Sequence, residues 1–189
     1  MVARGFAVSR RQLLGASGAA GLAWAFAGCG RSHPAAVHVA SLPPELKAVD
    51  AAIFNGLIDA EYAAAAAYIG GVPVLSDHNA RAAKHFLVQE VSHITQLSNL
   101  VNVAHGTPHG PRPSYDLGHP RNETQVLELI HRAEQVTIRA YLDAIPKLSP
   151  GAARAAAASI LANEAQHVSI IRRNLGLDPV PDALVTAAE

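Results

Sequence analysis

Two short stretches hold the residue types best suited to chemistry. Gln89-Glu90-Val91-Ser92-His93 and Asn163-Glu164-Ala165-Gln166-His167 each contain the step Glu-x-x-His. Three residues apart on a helix, the carboxylate and the imidazole share one face, with Cβ atoms roughly 5–6 Å apart. One metal ion can therefore take both. Each step interrupts an apolar stripe: Phe86, Leu87, Ile94, Leu97 and Val101 surround the first, and Ile160, Leu161, Val168 and Ile171 the second. One copy would be weak evidence; a second on a matching stripe strengthens it.

A lone Glu precedes each pair on a further stripe. Glu61 sits among Val49, Ile53, Phe54, Leu57, Ile58, Ala65 and Tyr68, and Glu134 among Val126, Leu127, Ile130, Ile138, Tyr141 and Ile145, at the three-and-four spacing of a buried helix face. The halves repeat: Ala60-Glu61 leads to Tyr68 and Pro73, and Ala133-Glu134 leads to Tyr141 and Pro146, at the same offsets. About thirty residues separate each Glu from its Glu-x-x-His.

Four unpaired carboxylates in a bundle core would cost several kcal/mol each. No Lys or Arg occupies these stripes to neutralise them. Two divalent cations would, and two imidazoles would complete a set of oxygen and nitrogen donors suited to iron or manganese better than to copper(I) or structural zinc. Tyr68 and Tyr141 lie two turns along from Glu61 and Glu134 on the same faces. They are placed either to hydrogen-bond the site carboxylates or to serve as plain core tyrosines.

Four helices must position these groups. The first is expected from about Pro44 to Ile69, ended by Gly70-Gly71-Val72-Pro73. Its run Ala63 to Ala67 favours the helix and lets a neighbour approach. Ser76 or Asp77 caps the second, which continues to about Ala104. From His105 to Asn122 the chain is rich in Gly, Pro and His without helical period. It is long enough to run the length of a bundle and reads as a crossover. Asn122 with Gln125 opens the third helix, ended by Pro146, and Ser149 with Pro150 at the first helical position opens the fourth. Arg172 and Arg173 suit its last turn, Gly176 its C-terminal cap, and the tail after Pro179 is too short for another packed element.

Half of the 189 residues are apolar, with Ala the commonest of them, and aromatics make up only 5%, which favours closely packed helices over a sheet. Basic and acidic residues number 15 each, with no run of either sign, so a nucleic-acid surface is not indicated. The single cysteine, Cys29, excludes an internal disulfide and any Cys-x-x-Cys redox pair.

Residues 1–29 read as an export signal. Ser9-Arg10-Arg11-Gln12-Leu13-Leu14 resembles a twin-arginine motif, followed by an uncharged stretch from Leu13 to Ala27 that is shorter than the roughly 20 residues of a spanning helix. Two endings are open. Phe26-Ala27-Gly28-Cys29 resembles a bacterial lipobox that would place a lipid on Cys29, although Phe26 departs from the usual Leu or Val; Ala25-Phe26-Ala27 is an alternative cleavage site. The lipoprotein reading is favoured. Removal of residues 1–28 leaves 12 basic against 15 acidic groups. Residues 30–43 are expected to be a tether, 44–176 the bundle, and 177–189 a tail.

A Glu from each of two helices with Glu-x-x-His from each of two others is the pattern of the di-iron and di-manganese carboxylate bundles. Across residues 44–176 the chain resembles that ferritin-like superfamily, most of all its exported bacterial ferritin-like domain proteins. The resemblance implies an all-α, antiparallel four-helix bundle with one long crossover between helices 2 and 3. It also implies two iron or manganese ions held by Glu61, Glu90, His93, Glu134, Glu164 and His167. The implied activity is an oxidoreductase of the cell envelope acting on peroxide, oxygen or ferrous iron, ferroxidase or manganese-catalase-like. Without rubredoxin-type cysteines it has no built-in electron supply for peroxide reduction. Two alternatives stand beside it: a metal-binding or storage protein without turnover, and a metal-free envelope interaction module. A lipid-tethered subunit with no fifth helix suits a closed storage shell poorly, while a smaller homo-oligomer stays open. His131, one turn before Glu134, flanks the site as a boundary residue; His78 and His85 lie off the stripe; His105, His109 and His119 fall in the crossover.

Overall fold

The computed structural model describes residues 7–9, 12, 46–149 and 151–187. Four helices dominate: α1 (Ala48–Gly71), α2 (Asp77–Val103), α3 (Glu123–Ala144) and α4 (Ala152–Asn174). α1 pairs with α2 and α3 with α4 as two hairpins, and α1 lies along α3. Of the four neighbouring pairs, α2 and α4 touch least. This is the expected all-α bundle with its crossover between the second and third helices. Cys29, the tether and most of the expected export segment lie outside the described residues. Among the described residues, no helix is long and apolar enough to cross a membrane.

Both hairpins turn in the same way. α1 and α3 each run into a single 3-10 turn, Val72–Val74 and Ile145–Lys147, with Pro73 and Pro146 inside it. Proline lacks the N–H that would continue the helix. α2 starts at Ser76, whose side chain does not cap its own helix; its hydroxyl and backbone N–H both donate to Glu123 at the start of α3. Asn122 caps α3, accepting from the Gln125 N–H at 3.0 Å. α4 ends in a Schellman motif: Gly176 has φ +74°, its N–H donates to the Arg173 carbonyl, and the Leu177 N–H donates to the Arg172 carbonyl.

Several expectations need correction. α4 is capped by Gly151 at φ +81°, not by Ser149, because Ser149 is buried and its N–H donates to Asp50 at 2.8 Å. Pro150 lies outside the described residues. Asp50, unnoticed in the sequence, also accepts from the Lys47 N–H at 2.7 Å and so joins the start of α1 to the turn before α4. Val49, expected on the buried stripe, is 57% exposed. The crossover contains a strand, β2 (Ser114–Asp116), which pairs antiparallel with β1 (Ala7–Ser9). The described residues of the tail, up to 187, form no helix or strand, yet they lie across α3 and α4, where Arg139 donates to the Ala187 carbonyl and a groove of about 500 Å³ remains beneath them.

Two apolar clusters fill the bundle. One includes Phe54, Leu57, Leu97, Val101, Tyr141 and Ile160, the other Tyr68, Phe86, Val126, Ile130 and Ile171. The tyrosine of each cluster reaches the polar layer described next. Ala64 to Ala67 are almost completely buried, and Ala65 and Ala66 pack with Ile94 and Tyr115, so small side chains admit α2 and the crossover. Asn55 secures the crossover along α1, donating to the Thr107 carbonyl at 3.0 Å and accepting from the His109 N–H at 2.8 Å.

Candidate metal centre

Each helix contributes its acidic residue to one layer: Glu61 from α1, Glu90 from α2, Glu134 from α3 and Glu164 from α4, all with no exposed surface. His93 and His167 join them, 7% and 0% exposed. These are the six positions singled out by spacing, and the fold brings all six together. They form two overlapping groups, Glu61, Glu90, His93 and Glu164, and Glu90, Glu134, Glu164 and His167, each with donor atoms within 4.8 Å of one another. Glu90 and Glu164 belong to both groups, the position a bridging carboxylate would hold.

The ring orientations are set from outside the layer. His93 Nε2 lies 3.0 Å from Asn163 Oδ1, and His167 Nε2 lies 2.8 Å from Gln89 Oε1. An amide oxygen accepts, so each Nε2 donates outward and each Nδ1 is turned inward towards the glutamates. His93 Nδ1 then stands 2.7 Å from Glu164 and 3.4 Å from Glu61, and His167 Nδ1 stands 3.1 to 3.3 Å from Glu90, Glu134 and Glu164. Tyr68 donates to Glu134 and Tyr141 to Glu61. The four bonds to Asn163, Gln89, Glu134 and Glu61 each cross from a helix of one hairpin to its counterpart in the other, whereas His93 also faces Glu61, and His167 also faces Glu134, within its own hairpin. Gln89 and Asn163 were not singled out from the sequence, although their repetition immediately before each Glu was a usable signal.

Eight buried atoms of the layer find no hydrogen-bond partner outside it and face only one another: Glu61 Oε2, both oxygens of Glu90 and of Glu164, Glu134 Oε2, and Nδ1 of His93 and His167. Buried polar atoms are normally satisfied, and no Lys or Arg is buried among the described residues. An inward-facing set of oxygen and nitrogen donors, which without a metal must share protons among themselves, fits divalent cations.

The protonation preferences express the same crowding. Burial, then the neighbouring carboxylates, pushes Glu90 well above the usual range; burial and Glu164 push Glu134 up to about 8. Burial would also raise Glu164, but hydrogen bonds to His167, His93 and Glu134 prevail and hold it at about 2. Burial alone would lower both histidines. Their glutamate partners reverse this, to about 10 for His93 and about 9 for His167. Burial and the adjacent glutamates raise both tyrosines well above their ordinary value, so they remain hydrogen-bond donors.

His131 joins neither group. It is partly buried beside Arg132 and Arg172, and burial followed by those two charges lowers its pKa. His78, His85, His105, His109 and His119 are exposed; of these, His109 approaches Asp59 at 3.1 Å.

A four-helix bundle with a buried layer of four Glu and two His defines a carboxylate-bundle class of protein. The family model described as Ferritin-like domain matches residues 49–177, and the chain belongs to that family. Among solved structures, a conserved hypothetical protein from Mycobacterium tuberculosis is similar, with TM-score 0.63 and 18% identity over 71% of this chain and 96% of that one. A ferritin-like, diiron-carboxylate protein from Bacillus anthracis gives TM-score 0.58 and 19% identity over 67% and 95%. The bacterioferritin-related protein from Bacteroides fragilis, a dodecameric thioferritin, gives TM-score 0.58 and 18% identity over 70% and 88%. At such identities these likenesses speak for the fold. No curated protein matches the chain in sequence.

Proposed function

We propose that this chain is an exported ferritin-like protein holding a dinuclear iron or manganese centre, with Glu61, Glu90, His93, Glu134, Glu164 and His167 as ligands, and that it acts as an oxidoreductase on peroxide, oxygen or ferrous iron. What carries the reading is the set of eight inward-facing buried donor atoms with no partner outside the layer. When bound, a carboxylate-bridged pair of redox-active ions supplies or accepts the electrons for oxidising ferrous iron or converting peroxide. The protein's own contributions are positional. Asn163 and Gln89 fix the imidazole orientation, Tyr141 and Tyr68 each hold one oxygen of Glu61 and Glu134, and the apolar clusters on either side exclude water. Glu90 and Glu164 serve both positions.

Stopped-flow oxidation of ferrous iron and a peroxide-decay assay test the activity. Turnover in either supports the oxidoreductase; metal uptake without turnover in both favours storage. The envelope location rests on the twin-arginine-like Arg10-Arg11 and on Cys29. A lipid on Cys29 predicts that the wild-type chain partitions into detergent and Cys29→Ser does not. Equal partitioning of the two removes the anchor. The related dodecamer from Bacteroides fragilis makes homo-oligomerisation worth measuring in the same preparations.

A further inference from the structure

The pseudo-symmetry of the centre is broken in ways that bear on how it is loaded. We propose that the two metal positions differ in lability: the Glu61 and His93 position exchanges its ion across the seam between α2 and α4, whereas the Glu134 and His167 position retains its ion. This rests on the dinuclear reading above and assigns each position a different behaviour.

Three observations carry it. The His93 side chain keeps 9% of its surface exposed against 1% for His167, and the ligand glutamates keep none. Of the two imidazoles, His93 is the one solvent touches more. Second, the Phe86 ring stacks on His167, centroids 4.3 Å apart and planes at 29°. The matching position in α4, three residues before Asn163, is Ile160, which cannot stack on His93 in return. Third, the two flanks differ in charge. Arg132 and Arg172 lie close enough to His131, one turn from Glu134, to lower its pKa, and they oppose a cation approaching from that end. The seam between α2 and α4 contains no Lys or Arg from Val88 to Val103 or from Ala155 to Ile171, and it offers neutral Gln, Ser, Thr and Asn instead. It is also the loosest contact between neighbouring helices.

Asn163 then has a second consequence. Its bond to His93 closes the seam at the exposed imidazole, so an ion leaves past His93 only when that bond opens. Gln89 closes the seam in the same way at His167, where the Phe86 ring adds a cover that His93 lacks.

The test follows manganese alone. The full chain, loaded with Mn(II), is mixed with excess EDTA, and release is followed by elemental analysis of protein separated from the chelator at timed intervals. The expected course has two phases of one ion each, the second slower by on the order of tenfold or more. Asn163→Ala should quicken the first phase only, and Phe86→Leu the second only. His93→Ala should remove the fast ion and keep the slow one, with circular dichroism to verify folding of each variant. Wild-type release of both ions in a single phase would overturn the proposal without any variant, as would His93→Ala losing the slow ion. Failure of the wild type to bind manganese or iron at all would instead overturn the dinuclear reading, and this proposal with it.

Discussion

His93 Nδ1 and a Glu164 oxygen stand 2.7 Å apart, and both would present lone pairs if each group were in its common form at neutral pH. Something positive has to lie between them, either a proton or a metal ion. In metal-free protein the proton takes this part, with a definite pH dependence. Histidines raised to about 10 and about 9 contribute stability that is full below their ordinary 6.5 and disappears as pH rises through 9 to 10. Glu134, raised to about 8, is stabilising in its neutral form, and that contribution fades as pH rises from 4.5 through 8. Glu164, held at about 2, works oppositely and loses its contribution as pH falls from 4.5 through 2. Thermal melts of chelated protein should therefore show Tm falling from pH 7 to pH 10, and the metal-loaded protein should not show that fall. A flat apo profile would mean that the layer is not under this strain. The six positions were legible in sequence because a charged step on an apolar stripe has few explanations. Gln89 and Asn163 were legible only as an amide repeated before each Glu; that each faces the imidazole of the opposite helix is shown by the fold alone.

At the scale of elements, the repeat of Glu, Tyr and Pro at equal offsets revealed two hairpins of one design, and the 3-10 turns around Pro73 and Pro146 are its local expression. What periodicity could not reveal were contacts made across the fold. The Ser149 N–H goes to Asp50, ninety-nine residues away, so the strong local cap signal at Ser149 was overridden and α4 begins at Ala152. Val49 fell on the expected stripe but lies on the solvent side of the first turn of α1, whose buried side is taken by Asp50 and Ala51. β2 escaped notice because its partner strand lies in the segment read as an export signal. Gly71 illustrates packing between the hairpins. A Cβ there would stand 2.6 Å from Val126 Cγ1 and 3.4 Å from Ile130 Cδ1, so α1 and α3 meet at a spot that admits no side chain. Gly71→Ala should cost roughly 1–3 kcal/mol in denaturant unfolding through overpacking. Gly56→Ala, which meets nothing within 4 Å, should not destabilise, since Ala is the better helix former. Equal effects at both positions would contradict the close approach.

For the whole molecule, the bundle is an arrangement in which apolar packing above and below compels an acidic layer to stay dry. Folding alone does not favour four ionised carboxylates there, so the layer has to be compensated by protons or by metal ions. The most direct measurement is elemental analysis of the reconstituted, desalted protein beside Glu90→Ala and Glu61→Ala. The account predicts about two iron or manganese ions per chain for the wild type and about one for Glu61→Ala, whose carboxylate serves a single group. It predicts fewer than one for Glu90→Ala, whose carboxylate serves both. A wild-type chain that takes up no metal after reconstitution, or a Glu90→Ala chain that retains two ions, would contradict it.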